Sequence, residues 1–119
     1  MRAAPFLAVV ILLLPVAPAY AHAMLERTEP PVGGEVTASP TQLVLTFTEG
    51  VEPLFTTVQV RDPTGADVAI GKPHTEPGNG RNVIVQLPVL GRGKYTVNWR
   101  ATSVDTHKTE GSFQFTVGK

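Results

Sequence analysis

Apolar and polar residues alternate along several short stretches of this chain, with the two-residue period of a strand that buries one face. The alternation is clearest in residues 95–100 and 112–117. Trp99 lies within the first of these and is expected to pack in a core rather than to stack on a ligand. Further strands are expected at Gln42–Phe47, at Thr57–Arg61, at residues 82–87 and near residues 24–28. No stretch of useful length has the roughly 3.6-residue apolar period of an amphipathic helix.

Turn signals separate the predicted strands about every 8 to 12 residues. Residues 30–34 contain two prolines and two glycines and form a connection that a helix cannot occupy, and residues 62–65 predict a tight turn. After a short return strand at residues 67–70, residues 71–80 contain two prolines and three glycines and predict a polar loop. Pro88 ends the strand before it, because proline has no N–H to donate to a neighbouring strand. The pattern predicts an all-β fold, namely an antiparallel, immunoglobulin-like Greek-key β-barrel or sandwich of about seven strands.

The composition excludes several classes of protein. The length of 119 residues corresponds to one domain. Ten Lys and Arg residues balance ten Asp and Glu residues, and no run of basic residues is present, so we expect no nucleic-acid partner. The absence of cysteine excludes a disulfide framework, a thiolate metal site and a lipid-modified N-terminal cysteine.

Residues 1–21 have the pattern of a secretory signal peptide. Arg2 supplies the positive charge, residues 6–14 are apolar without interruption, and the Ala-Tyr-Ala sequence before His22 has the small-x-small pattern that signal peptidase cleaves. The apolar run is only about half of the roughly 20 residues that a membrane-spanning helix needs. We therefore predict that cleavage leaves an exported domain, residues 22–119, that is not held in the membrane.

Three residues supply donor atoms that suit a metal. Asp105 and His107 stand two residues apart after a strand, so in extended backbone both side chains would point to the same face. Such a pair alone is more often part of a solvated loop than of a site. Cleavage before His22 strengthens the case for a metal site, because a first-position histidine offers both its α-amine and its ring Nδ1 to one metal. A nitrogen-rich, thiol-free set completed by a carboxylate favours Cu(II), with Ni(II) next and Zn(II) as a further option.

The mature chain resembles the CopC copper-resistance family over nearly its whole length. The resemblance rests on the order and spacing of four stretches, which are His22 at the cleavage site, residues 30–34, residues 45–52 and residues 95–113. It implies a Greek-key β-barrel with a Cu(II) site built from His22, Asp105 and His107. Glu49 matches an acidic position that the family places near the copper, as an axial ligand or an outer neighbour. The resemblance also implies a monomeric, periplasmic copper carrier or buffer, with a membrane copper transporter of the CopD type as a natural partner.

The methionine content departs from part of that family. Members with a Cu(I) site carry a methionine-rich loop with a histidine, since Cu(I) prefers thioether sulfur. Here the methionines are Met1, which cleavage removes, and Met24. The loop predicted at residues 71–80 contains His74 but no methionine. We interpret His74 as a solvated loop residue and expect no Cu(I) site of the family's usual kind.

Three other functions fit parts of the pattern. Ser103, Asp105 and His107 bring a hydroxyl, an acid and a base within five residues, but such close neighbours rarely form the relay of a hydrolase, and no nucleophile elbow is present. An N-terminal histidine brace also occurs in copper redox enzymes, although this chain is short for their broad substrate surfaces. A structural β-sandwich without metal is the third alternative. We predict a copper-binding protein of copper homeostasis or resistance that is not an enzyme.

Overall fold

The structure, a computed structural model, describes residues 23–118. This part of the chain forms eight strands and a short 3₁₀ helix, Pro53–Phe55. In chain order the strands are β1 (Leu25–Glu29), β2 (Glu35–Val36), β3 (Gln42–Phe47), β4 (Thr57–Arg61), β5 (Ile70–Glu76), β6 (Asn79–Gln86), β7 (Gly93–Thr102) and β8 (Lys108–Val117). They form two four-stranded sheets, ordered β1-β3-β6-β5 and β2-β8-β7-β4. Within residues 23–118, no helix is both long and apolar enough to cross a membrane.

The apolar faces of the two sheets pack against each other and form the core. Trp99 of β7 is 7% exposed, and its ring meets Phe47 of the opposite sheet edge-on at a centroid distance of 5.2 Å. Tyr95 and Phe115 stack on neighbouring strands at 5.4 Å. The inward positions are those that the alternation predicts, and they include Leu43, Leu45, Val58, Val60, Val83, Val85, Val97, Phe113 and Val117. The expected role of Trp99 in the core is confirmed, and removal of this apolar surface from water is the main stabilising force.

The predicted all-β sandwich is confirmed, with strands that pair mainly antiparallel. β3 and β4 have the predicted bounds, and β7 and β8 extend beyond theirs. The exception to antiparallel pairing is β2, which pairs in parallel with β8, with Glu35 opposite Thr116. The return strand expected at residues 67–70 is reduced to a bridge between Arg61 and Asp67, followed by the first residue of β5.

The prediction of a polar loop at residues 71–80 is wrong. β5 and the start of β6 occupy this segment, and a tight turn joins them in which Gly78 has a φ of +79°. β5 is an edge strand with mostly exposed side chains, so it lacks the apolar alternation that marks a buried strand. The edge also tolerates Pro73, because one side of an edge strand has no partner to receive a hydrogen bond. His74 is therefore exposed, as predicted, but lies in a strand and not in a loop.

The topology brings three segments to one end of the sandwich. β7 and β8 form a long hairpin whose loop, residues 103–107, lies at this end. β1 pairs antiparallel with β3, so the residues that precede β1 and those that follow β3 meet each other. Val51, after β3, forms a bridge with Ser103 in the hairpin loop. The predicted signal peptide and His22 lie outside the described residues.

Gly111 of β8 lies opposite Trp99 and provides a test of this packing. A Cβ atom at Gly111 would lie 2.6 Å from Cζ2 of the tryptophan ring, which is too close for a rigid side chain. We expect Gly111→Ala to lower the free energy of unfolding by about 1–3 kcal/mol, as overpacking does elsewhere. Urea denaturation measures this change. The matched control is Gly80→Ala, where nothing lies within 4 Å of the added atom. Equal stability of the two variants would contradict the packing described.

Candidate metal centre

The loop that carries Asp105 and His107 is a tight turn. The N–H of Thr106 donates to the carbonyl of Ser103 at 2.9 Å, and the N–H of Ser103 donates to the carbonyl of His107 at 2.8 Å. Thr106 has a φ of +72°, a left-handed conformation that glycine usually adopts at this point of a hairpin. The prediction that extended backbone aligns Asp105 and His107 is therefore wrong. Their side chains do meet, but the turn brings them together.

The side chain of Ser103 organises this turn from inside. Ser103 is only 1% exposed. Its hydroxyl donates a short hydrogen bond to Oδ1 of Asp105 and accepts one from the backbone N–H of His107 at 3.2 Å. Oδ1 of Asp105 also lies 3.2 Å from Nδ1 of His107. A buried hydroxyl thus fixes both the carboxylate and the backbone of the histidine, which limits the rotamers of both side chains.

The electrostatics of the loop favour an ionised carboxylate. The hydrogen bond from Ser103 is the main reason why the pKa of Asp105 lies below its ordinary value of 3.8. Partial desolvation opposes this shift, and the hydrogen bonds and charge of His107 add to it. The side chains of Asp105 and His107 are 39% and 41% exposed, so both can reach a ligand from solvent. The loop therefore presents an ionised carboxylate beside the ring of His107.

The first described residues are tied to this end of the fold. Ala23 is fully buried, and its carbonyl accepts a hydrogen bond of 2.8 Å from the hydroxyl of Thr109 in β8. The N–H of Met24 donates to the hydroxyl of Thr48 at 3.1 Å, and the N–H of Thr48 donates to the carbonyl of Met24 at 2.9 Å. The chain immediately after His22 is therefore held close to the loop of Asp105 and His107.

Glu49 lies between two residues that contact these segments. Thr48 bonds to Met24, and the carbonyl of Gly50 accepts a hydrogen bond of 3.0 Å from the N–H of Val104. Glu49 itself is half-buried. Among residues 23–118, however, no group of three or more His, Cys, Asp and Glu side chains lies close enough together to hold a metal. The described residues thus bring Asp105 and His107 into contact and do not add Glu49 to that pair.

The geometry argues against the hydrolase alternative. A catalytic triad needs an imidazole that takes the proton of the hydroxyl directly. Here the carboxylate of Asp105 lies between the hydroxyl of Ser103 and the ring of His107. The imidazole therefore does not contact the hydroxyl as a triad requires. At 1% exposure, Ser103 also cannot approach a substrate. Its hydroxyl serves the loop and is not a nucleophile.

Sequence reasoning missed the threonines that hold this end together. Thr109 reaches Ala23 across 86 positions of the chain, and Thr48 reaches Met24 across 24. No local pattern marks such contacts, because they depend on which strands meet in space. The left-handed Thr106 was also missed, since threonine is an unusual residue in that conformation. The turn signals that the sequence offers come from proline and glycine, which are absent from residues 103–107.

Comparison with known proteins gives concordant matches. The family model of the CopC domain matches residues 25–118. Protein YobA of Escherichia coli K12 is 35% identical over 99 residues, which cover 82% of this chain and 80% of that protein. The structure of CopC from Methylosinus trichosporium OB3b superposes with a TM-score of 0.75 at 33% identity, covering 81% of this chain and 93% of that one. The structure of PcoC, a methionine-rich copper resistance protein from Escherichia coli, gives a TM-score of 0.72 at 27% identity, covering 82% of this chain and all of the other.

Removal of the Ser103 hydroxyl tests its role in the loop. We expect Ser103→Ala to raise the pKa of Asp105 towards its ordinary value, because the main interaction that favours the charged form is lost. A carboxyl-carbon NMR titration measures the pKa. Since the folded-state pKa of Asp105 is the lower one, the stabilisation is present above the unfolded-state pKa and is lost as the pH falls through the folded-state pKa. The difference in free energy of unfolding between the native protein and Ser103→Ala should therefore become smaller at acidic pH.

The control for this experiment is Ser112→Ala, on the exposed face of β8. It should leave the pKa of Asp105 unchanged. An unchanged pKa in Ser103→Ala would show that the hydroxyl does not control the carboxylate.

Proposed function

Because this chain belongs to the CopC family, we propose that it is an exported protein that binds Cu(II) and carries or buffers it without catalysing a reaction. The observation that carries the proposal is the hydrogen bond from Thr109 to the carbonyl of Ala23. Thr109 follows His107 by two residues, and Ala23 follows His22 directly. Neighbouring α-carbons are about 3.8 Å apart, so this bond supports a site in which the N-terminal histidine meets the hairpin loop.

The donor atoms that we assign to copper are rich in nitrogen. His22 contributes its α-amine and ring Nδ1, which close one chelate ring. We assign a ring nitrogen of His107 and a carboxylate oxygen of Asp105 as the further donors. Nδ1 of His107 and Oδ1 of Asp105 lie 3.2 Å apart, so the two side chains are close enough to bind one ion. Such a thiol-free set suits the tetragonal preference of Cu(II).

We place Glu49 outside this set of donors, as an axial ligand or an outer neighbour. Its neighbours Thr48 and Gly50 bond to the N-terminal segment and to the hairpin loop, respectively. A second carboxylate beside the site would offset the charge of a divalent cation. We propose a smaller loss of copper affinity on removing Glu49 than on removing Asp105.

The cellular role that we propose follows from the relatives. PcoC is a copper resistance protein, and the chain aligns with it over most of its length. We propose that cleavage of residues 1–21 releases a monomer into the periplasm, where it serves copper homeostasis or resistance. A membrane copper transporter of the CopD type is the proposed partner for copper transfer.

An N-terminal extension tests the proposed site most directly. One extra methionine before His22 converts its α-amine into an amide and moves the new amine out of the chelate ring. We expect the dissociation constant for Cu(II) to rise by at least about 100-fold, more than the 10- to 100-fold typical of changes outside the ligands. Competition titration measures the affinity, electron paramagnetic resonance counts the nitrogen ligands, and intact mass verifies that the native form begins at His22.

The controls separate loss of a ligand from loss of fold. Thermal unfolding without metal should be unchanged by the extension, since the first residue of a domain contributes little packing. His74→Ala, on the exposed face of β5, should bind Cu(II) as the native protein does. If the extended protein binds Cu(II) as tightly as the native one, the amine is not a ligand.

Cu(I) should bind far more weakly than Cu(II). The processed chain contains one thioether, that of Met24, and no thiol, whereas Cu(I) prefers soft sulfur ligands. Competition against a Cu(I) chelator under reducing conditions measures this, with methionine-rich PcoC as the comparison protein. Retention of Cu(I) that rivals retention of Cu(II) would contradict the prediction.

A further inference from the structure

Two threonines from different sheets hold the backbone immediately after His22. Thr48 follows β3 in one sheet, and Thr109 lies in β8 of the other. We infer that Thr48 and Thr109 are positioning residues, which hold the backbone of Ala23 and Met24 beside the hairpin loop before copper arrives and so favour binding by the residue that precedes them. This inference rests on the proposed function, since it assigns a role to groups that act through a copper ligand.

The contact of Thr109 satisfies a buried polar group. Ala23 is fully buried, so its carbonyl needs a partner within the protein. Thr109 lies on the inward side of β8, opposite the buried Ala101, and its hydroxyl supplies that partner at 2.8 Å. Without the hydroxyl, the carbonyl of Ala23 can form a hydrogen bond only with water, and this requires the segment to move out to the solvent. Ala23 would then leave its position.

The contact of Thr48 fixes the direction of the same segment. Its hydroxyl accepts from the N–H of Met24 at 3.1 Å, and its own N–H donates to the carbonyl of Met24 at 2.9 Å. Two bonds to one residue hold both of its peptide groups. Together with the bond from Thr109, they restrain Ala23 and Met24 from both sheets, and these three bonds form what we call the N-terminal clamp.

The N-terminal clamp reduces the entropy that metal binding must remove. A free chain terminus loses backbone and side-chain freedom when it is ordered, and pre-ordering it in the metal-free protein raises affinity. Thr109 lies in β8, two residues after His107 in the hairpin loop, so the anchor of Ala23 closely follows a proposed imidazole donor in the chain. The hairpin loop and the segment that follows His22 thus share one rigid frame.

The experiment compares Thr109→Val, which removes the hydroxyl at nearly constant volume, with Thr109→Ser, which keeps it. Each is made in the native form that begins at His22 and in the form extended by one methionine. In the native form we expect Thr109→Val to weaken Cu(II) binding about tenfold, at the lower end of outer-partner effects, and Thr109→Ser to restore it. In the extended form, the same change should alter affinity by less than about twofold, because the amine is already displaced.

Two further variants and one spectrum complete the design. Thr48→Val should weaken Cu(II) binding in the native form in the same way, although Thr48 follows a strand of the other sheet. Thr75→Val in β5 is the control and should leave binding unchanged. The electron paramagnetic resonance spectrum of Thr109→Val should show a species with fewer nitrogen ligands. Thermal unfolding without metal verifies that each variant is folded.

The outcomes distinguish the clamp from the site itself. If the native protein lacks a nitrogen-rich Cu(II) spectrum, both the proposed function and the N-terminal clamp are refuted. If the native protein binds Cu(II) as proposed, but Thr109→Val keeps both its affinity and its spectrum, the clamp alone is refuted. Equal weakening by Thr109→Val in the native and extended forms would also refute it, because the threonine would then act through the fold and not through the N-terminus.

Discussion

The hydrogen bonds of the buried Ser103 hydroxyl are the interaction on which the hairpin loop depends. The hydroxyl binds the carboxylate of Asp105 and the backbone of His107 at once. It lowers the pKa of the carboxylate and holds the backbone of His107, while the left-handed Thr106 lets the chain turn back into β8. A turn of few residues thereby holds an acid and a base that would otherwise be mobile side chains on a polar loop.

The sandwich supplies the frame around this loop. The long β7 and β8 hairpin carries it, and the aromatic contact between Trp99 and Phe47 joins the two sheets beneath. Because β1 pairs with β3, the start of the domain and the segment after β3 come to the same end. Small side chains fill the tight places, such as Ala23 in the core and Gly111 against the Trp99 ring. The core thus determines where the hairpin loop and the segment before β1 lie.

The same arrangement argues against a hydrolytic triad in the hairpin loop. The residues that resemble a triad are ordered so that the carboxylate separates the hydroxyl from the imidazole. What remains accessible is the carboxylate of Asp105 beside the imidazole of His107. The CopC family model matches residues 25–118, which include this pair.

The sequence alone determined the strands that bury a face, the all-β class, the family and the pairing of Asp105 with His107. Each is encoded locally, by a two-residue apolar period or by a motif of fixed spacing. Prediction from the sequence failed for β5, because an exposed edge strand has no buried face to mark it. It also failed for the turn at Thr106, where no glycine or proline gives a signal. Only the tertiary structure decided that Thr48 and Thr109 hold Ala23 and Met24, since strand pairing alone brings such distant residues together.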